Sequence, residues 1–82
     1  MSQTFVAELV AHLARSLVDR PELVVVRAIE ETGHLLIELK VAPSDLGKVI
    51  GRRGSTARAL RTVVASVAAR IRRRVVVNIV ED

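Results

Sequence analysis

The sequence predicts an α+β domain in the order α-β-β-α-α-β, a three-stranded sheet with its helices packed on one face. Three observations predict it: two stretches with helical apolar spacing, a β-branched and alternating region between them, and a valine run closing the chain. At 82 residues the chain is read as one domain, 1–82, that buries only about 60% of its unfolded surface and so has a thin core.

Residues 4–18 set Val6, Leu9, Val10, Leu13 and Leu17 on one helical face and Glu8, His12, Arg15 and Asp19 on the other. Pro21 is expected to end this helix. Leu23 to Ile29 is rich in β-branched residues and reads as a strand, with Glu30 to His34, including Gly33, as its turn. Leu35 to Val41 alternates cleanly, putting Leu35, Ile37, Leu39 and Val41 on one face of a second strand. Ser44 is expected to cap a short helix ending near Ile50, with Asp45 suiting its positive end. From Ser55 to about Arg70, Ala57, Leu60, Val64, Val67, Ala68 and Ile71 share a face, while Arg58 and Arg61 share a flank. Val75 to Val80 is the last strand. The face of the sheet away from the helices is expected to be apolar around Leu36 and to form a protein contact.

Composition excludes several classes of function. With no cysteine there is no disulfide, thiol nucleophile or thiolate metal site. No apolar run approaches the roughly 20 residues of a membrane span, which points to a cytoplasmic protein without membrane insertion. His12 falls on a polar helical face and His34 in a turn, so neither metal nor cofactor is expected. Ser16, Ser44, Ser55 and Ser66 lack a histidine at usable spacing, and the acidic pairs Glu30-Glu31 and Glu81-Asp82 read as solvated. No catalytic residue is assigned, and the chain is read as non-enzymatic.

Charge is distributed unevenly. Lys48 to Arg74 holds nine basic residues and no acidic one, whereas the rest holds four basic and nine acidic, so +9 opposes −5 within a net charge of +4. Such an asymmetry is the footprint of a polyanionic partner, because arginines placed on phosphates release condensed counterions. The plain alternative is a solvated face that confers solubility.

Two of the four glycines, Gly51 and Gly54, bracket Arg52 and Arg53 between two helices. A connection this tight calls for positive φ values, and the start of the second helix carries the positive end of its dipole. Backbone amides and two guanidinium groups would then converge on phosphate. The Walker loop is excluded, since Val49 follows Gly47-Lys48 where a hydroxyl is required. A dinucleotide fingerprint is excluded by Val49 two places before Gly51.

Val49-Ile50-Gly51-Arg52-Arg53-Gly54, with Ala57, Leu60 and Arg61-Thr62-Val63-Val64 downstream, resembles the GXXG signature of the KH domain in its type II topology. Over essentially the whole chain, the sequence resembles the KhpA family, the YlqC-like small bacterial single-KH proteins. The resemblance implies that Gly51, Arg52, Arg53 and Gly54 clamp single-stranded RNA, with Ile50 as apolar floor and Lys48, Arg58 and Arg61 flanking. Bases would be read along the strand Leu35 to Val41. Many relatives carry an uncharged residue where Arg53 stands. The resemblance further implies an RNA chaperone or post-transcriptional regulator with a role in cell-wall homeostasis and cell shape. Its partners would be a second copy, as a homodimer, and a second KH-containing protein (KhpB, Jag-like). Phe5 is the lone aromatic, so stacking platforms of other RNA-binding modules are not available. Competing readings are a protein-interaction module without an RNA role, a helix-hairpin-helix-like DNA binder, and a membrane-surface binder, the last disfavoured by the missing aromatic anchors.

Overall fold

The alternating stretch predicted as the second strand becomes the centre of the sheet. The computed structural model describes residues 3–81, and in it Leu35, Ile37 and Leu39 are completely buried. The chain runs α1 (Gln3–Leu17), β1 (Val25–Glu31), β2 (His34–Lys40), α2 (Leu46–Ile50), α3 (Ser55–Arg70) and β3 (Val75–Ile79), with single 3-10 turns at Pro21–Leu23, Pro43–Asp45 and Arg52–Gly54. The strand order is β1-β2-β3. β1 pairs antiparallel with β2, and β2 pairs parallel with β3, Leu35 lying opposite Val75 and Leu39 opposite Ile79.

A parallel pair needs a crossover of a dozen or more residues, and here α2, the loop and α3 supply it. α1 packs on β1 and β2, while α3 packs on β3 and against α1. Their side chains meet β2, Val77 and Ile79 in one core. Both helices thus lie on one face of the sheet.

Local details differ from the sequence expectation for identifiable reasons. The buried stripe of α1 is Val6, Val10 and Ala14, with Ala11 beside it, while Leu17 is exposed and Leu9 and Leu13 are half-buried. Small side chains thus fill the buried stripe, and the leucines fall to its flanks. α1 stops at Leu17, before Pro21, which instead opens a 3-10 turn holding Leu23. The hairpin turn is tighter than expected: Glu31 pairs with His34 across Thr32 and Gly33, whose φ is +85°.

Ser44 makes no cap. It is exposed, and neither the 3-10 turn at Pro43 nor α2 has a side-chain cap. Asp45 is instead buried, its Oδ1 accepting the Asp19 N–H at 3.2 Å and its Oδ2 the Arg20 N–H at 3.0 Å. These bonds join the α1–β1 connection to the start of α2, 25 residues away along the chain. Burial acts to raise the Asp45 pKa, but the two N–H donors and the Lys48 ammonium outweigh it and hold the carboxyl below its ordinary value.

On the open face, Ile29, Leu36 and Val76 stand in one row by register, and Arg27, Glu38 and Asn78 in the next. Arg27 Nη1 lies 3.4 Å from Glu38 Oε1. The expected apolar face is therefore an apolar row, Ile29, Leu36 and Val76, separated by the Arg27–Glu38 pair from Val25 and Val80 beside Lys40.

A carboxylate with a depressed folded pKa contributes stability above its unfolded pKa, and that contribution disappears as pH falls through the folded value. The melting temperature should decline below about pH 4, whereas Asp45→Asn should melt lower at neutral pH and decline less over that acid range. Thermal melts followed by circular dichroism from neutral to acid pH check this, and parallel profiles for the two proteins would refute it.

Candidate nucleic-acid interface

Gly51 adopts φ 77° and ψ 172°, a region essentially restricted to glycine. A Cβ there would collide with Thr56, meeting its side-chain Oγ1 and, at 2.7 Å, its backbone nitrogen. Gly51 is therefore required by the packing of the loop on the first turn of α3. Gly54, at φ 76° and ψ 12°, is the left-handed residue preceding α3. A Cβ on it would meet only the tip of Arg58, at 3.3 Å.

Within the turn, the Gly54 N–H donates to Gly51 O at 3.1 Å and the Ser55 N–H to Arg52 O. These amides are used internally, so the prominent outward donors are the exposed side chains of Arg52 and Arg53. Arg53 itself holds a left-handed conformation, φ 55°. Arg58 Nη1 donates to the Arg53 carbonyl at 2.8 Å, which braces the loop from α3. Arg61 Nε donates to Val77 O at 3.2 Å, tying α3 to β3. Each bond uses one of the five guanidinium N–H donors and leaves the others available.

Below the loop lies a groove of about 250 Å³. Ile50, Gly54, Ala57, Arg58 and Arg61 line one side, and Asn78, Ile79 and Glu81 line the other. Of the residues expected to act together, the structure thus gathers Ile50, Gly54, Arg58 and Arg61 around one groove, with Arg52 and Arg53 at the adjoining loop. Lys48 is directed elsewhere: its Nζ lies 3.1 Å from Asp19 Oδ2 and 3.6 Å from Asp45 Oδ1. The hydrogen bond to Asp19 chiefly raises its pKa. Nor does the groove run beside Leu35 to Val41 as expected. β2 is the central strand with both edges paired, so the edge beside the loop belongs to β3. Asn78, Ile79 and Glu81 escaped sequence reasoning because their nearness to Gly54 depends on the parallel pairing, which periodicity does not encode. A larger groove, about 570 Å³, runs between α1 and β1 over Ala7, Ala11, Val26 and Ala28. It lies apart from the loop.

Residues 7–79 match the family model described as KhpA/KhpB, KH domain. The chain belongs to the KhpA/KhpB KH-domain family. Relatives named RNA-binding protein KhpA include those of Caldanaerobacter subterraneus and Clostridium perfringens, each 48% identical over 73 residues, covering 89% of this chain and 97% of the relative. That of Chlamydia pneumoniae is 43% identical over 75 residues, 92% of this chain and 96% of the relative. Among solved structures, a point variant of Aquifex aeolicus Era bound to GDP.AlF4- superimposes with a TM-score of 0.65 at 19% identity. The match covers 94% of this chain and 30% of the Era chain, and it supports the KH fold of the family. No helix among the described residues is long and apolar enough to cross a membrane.

The two loop glycines should differ in their tolerance of a methyl group. Gly51→Ala enters a glycine-only backbone region and strikes Thr56, and should destabilise by about 3 kcal/mol or more. Gly54→Ala should cost about 1–2 kcal/mol. Urea unfolding of both variants checks the order, and equal losses would contradict it.

Proposed function

We propose that this chain is a non-catalytic RNA-binding protein that clamps single-stranded RNA at the Gly51-Arg52-Arg53-Gly54 loop. The observation that carries the reading is two exposed arginines between positive-φ glycines, at the start of a 16-residue helix and above a groove. The guanidinium groups and the positive end of α3 suit phosphate oxygens. The curated relatives' name, RNA-binding protein KhpA, supports RNA as the polyanion.

In this reading the sugar-phosphate backbone follows the arginine side of the groove, on Arg52, Arg53, Arg58 and Arg61. Bases lie over Ile50 and Ala57 toward β3, where Glu81 offers an acceptor. An acidic group on that side disfavours phosphate and so sets which edge of the strand faces inward. With about four nucleotides clamped and little stacking, affinity is in the micromolar range and weakly sequence-selective. Lys48, neutralised by Asp19 and Asp45, contributes at most long-range attraction.

Avidity comes from a second copy or a KhpB/Jag-like KH protein meeting the apolar row of Ile29, Leu36 and Val76. A cytoplasmic role as RNA chaperone or post-transcriptional regulator, with effects on the cell wall and cell shape, rests on the family resemblance.

Fluorescence anisotropy with labelled single-stranded RNA, single-stranded DNA and duplex DNA across a salt series tests the loop. The native protein should prefer single-stranded RNA with a log-log salt slope of about −2 to −3, from three or four phosphate contacts. The folded Arg52→Asp/Arg53→Asp variant should lose at least about tenfold in affinity. Undiminished binding by that variant would remove the loop from the interface.

A further inference from the structure

Only two non-glycine residues among the described ones adopt positive φ, and both are arginines: Arg53 at 55° in the loop and Arg72 at 56° beyond α3. The Arg72 N–H donates to Ala69 O at 3.3 Å and the Arg73 N–H to Ala68 O at 3.0 Å. These are the two bonds of a Schellman C-cap, whose left-handed position is usually glycine. A long cationic side chain thus stands where the backbone favours none, and such departures gather at functional sites.

The neighbours of Arg72 sharpen the observation. Arg73 is occupied, its Nη2 lying 2.7 and 3.0 Å from the two oxygens of Glu30. Arg70, Arg72 and Arg74 are exposed and form no ion pair among the described residues. Complementing the helix dipole accounts for Arg70 in the last turn but not for Arg72 and Arg74 beyond it. The cluster sits at the opposite end of α3 from the loop, about 24 Å away for 16 residues. Between them, the flank bearing Arg61 continues at four-residue steps through exposed Ala65 and Ala69. Neither is charged or bulky, and no acidic residue occurs from Lys48 to Arg74.

We propose that Arg70, Arg72 and Arg74 form a second phosphate-contact site, engaging the same single-stranded RNA beyond the nucleotides clamped at the loop. The inference rests on the RNA-binding reading of that loop. A strand stacked at about 3.4 Å per nucleotide needs about seven nucleotides to bridge the two sites. RNA length is therefore the variable that separates them.

The experiment measures anisotropy with stacked oligoadenylates of about five and about twelve nucleotides, the first matching the loop site and the second reaching both. Native protein should bind the longer RNA more tightly. Arg70→Gln/Arg72→Gln/Arg74→Gln should bind the shorter RNA within about twofold of native. It should lose about tenfold on the longer one, with the salt slope shallower by about 2, as three single-strand phosphate contacts require. Arg15→Gln/Arg20→Gln/Arg27→Gln, with the same change of net charge, should keep the preference for length. Arg72→Gly supplies the residue its backbone favours, so it should melt higher than native while binding the longer RNA less tightly. Equal affinity of native protein for both lengths, or equal losses in the two triple variants, would overturn the proposal. So would retention of long-RNA affinity by the Arg70/Arg72/Arg74 variant with loss of its binding to phosphatidylserine vesicles, which would assign the cluster to a lipid surface. Native protein that ignores the shorter RNA, yet binds the longer one through the cluster, would sink the loop reading and leave the second site standing.

Discussion

The parallel pairing of β2 with β3 is the constraint from which the remaining geometry follows. It cannot be closed by a hairpin, so the chain between Lys40 and Val75 must cross one face of the sheet, and α2, the glycine loop and α3 make that crossing. The end of α3 is thereby brought to the start of β3, and the end of β3 returns to the loop. Completely buried aliphatic side chains on β2 hold the register, since a slip of one residue would turn Leu35, Ile37 and Leu39 to solvent. Because each such side chain stabilises by about 1.5–3 kcal/mol, the register is firmly set even in a thin core.

On this frame the arginines divide their labour by their bonds. Arg58 and Arg61 each commit one donor to a backbone carbonyl, fixing the loop and joining α3 to the edge of the sheet. Arg73 commits to Glu30, whereas Arg52, Arg53, Arg70, Arg72 and Arg74 stand exposed on turns or helix ends. The acidic residues are used similarly. Asp45 anchors the α1–β1 connection, and together with Asp19 it holds Lys48 beside the anchor. Nine basic residues in one stretch therefore do not make nine equivalent contacts.

The element order, the core of β2 and α3, and the loop were legible in the sequence because each is written in local periodicity or in glycine chemistry. Val64 and Leu60 recur at helical spacing, and Leu35, Ile37 and Leu39 alternate. What was not legible depends on neighbours distant in the chain. Asp45 resembled the acidic start of a short helix, and only the approach of Asp19 and Arg20 makes it a buried acceptor. Lys48 belongs to the basic run by sequence, but Asp19, 3.1 Å from it in the fold, neutralises it. The family resemblance implies base reading beside Leu35 to Val41, but the alternation of that strand marks it as covered on one face, and the sheet order pairs it along both edges. Asn78 and Glu81 gained their place only from the order of the strands.

The last strand also bears on how the chain stays soluble. Val75 to Asn78 and on to Val80 is six residues of high β-propensity without a charge, and β3 is an edge strand. A segment of that kind tends to stack with copies of itself whenever it is unpaired, as it must be until the crossover has formed. Three consecutive arginines precede it, and Glu81-Asp82 follows. These charged flanks oppose parallel, in-register stacking of identical segments through like-charge repulsion. An exchange at residues 72–74 therefore alters the protection of a newly made chain against aggregation, whatever else it does on the folded surface.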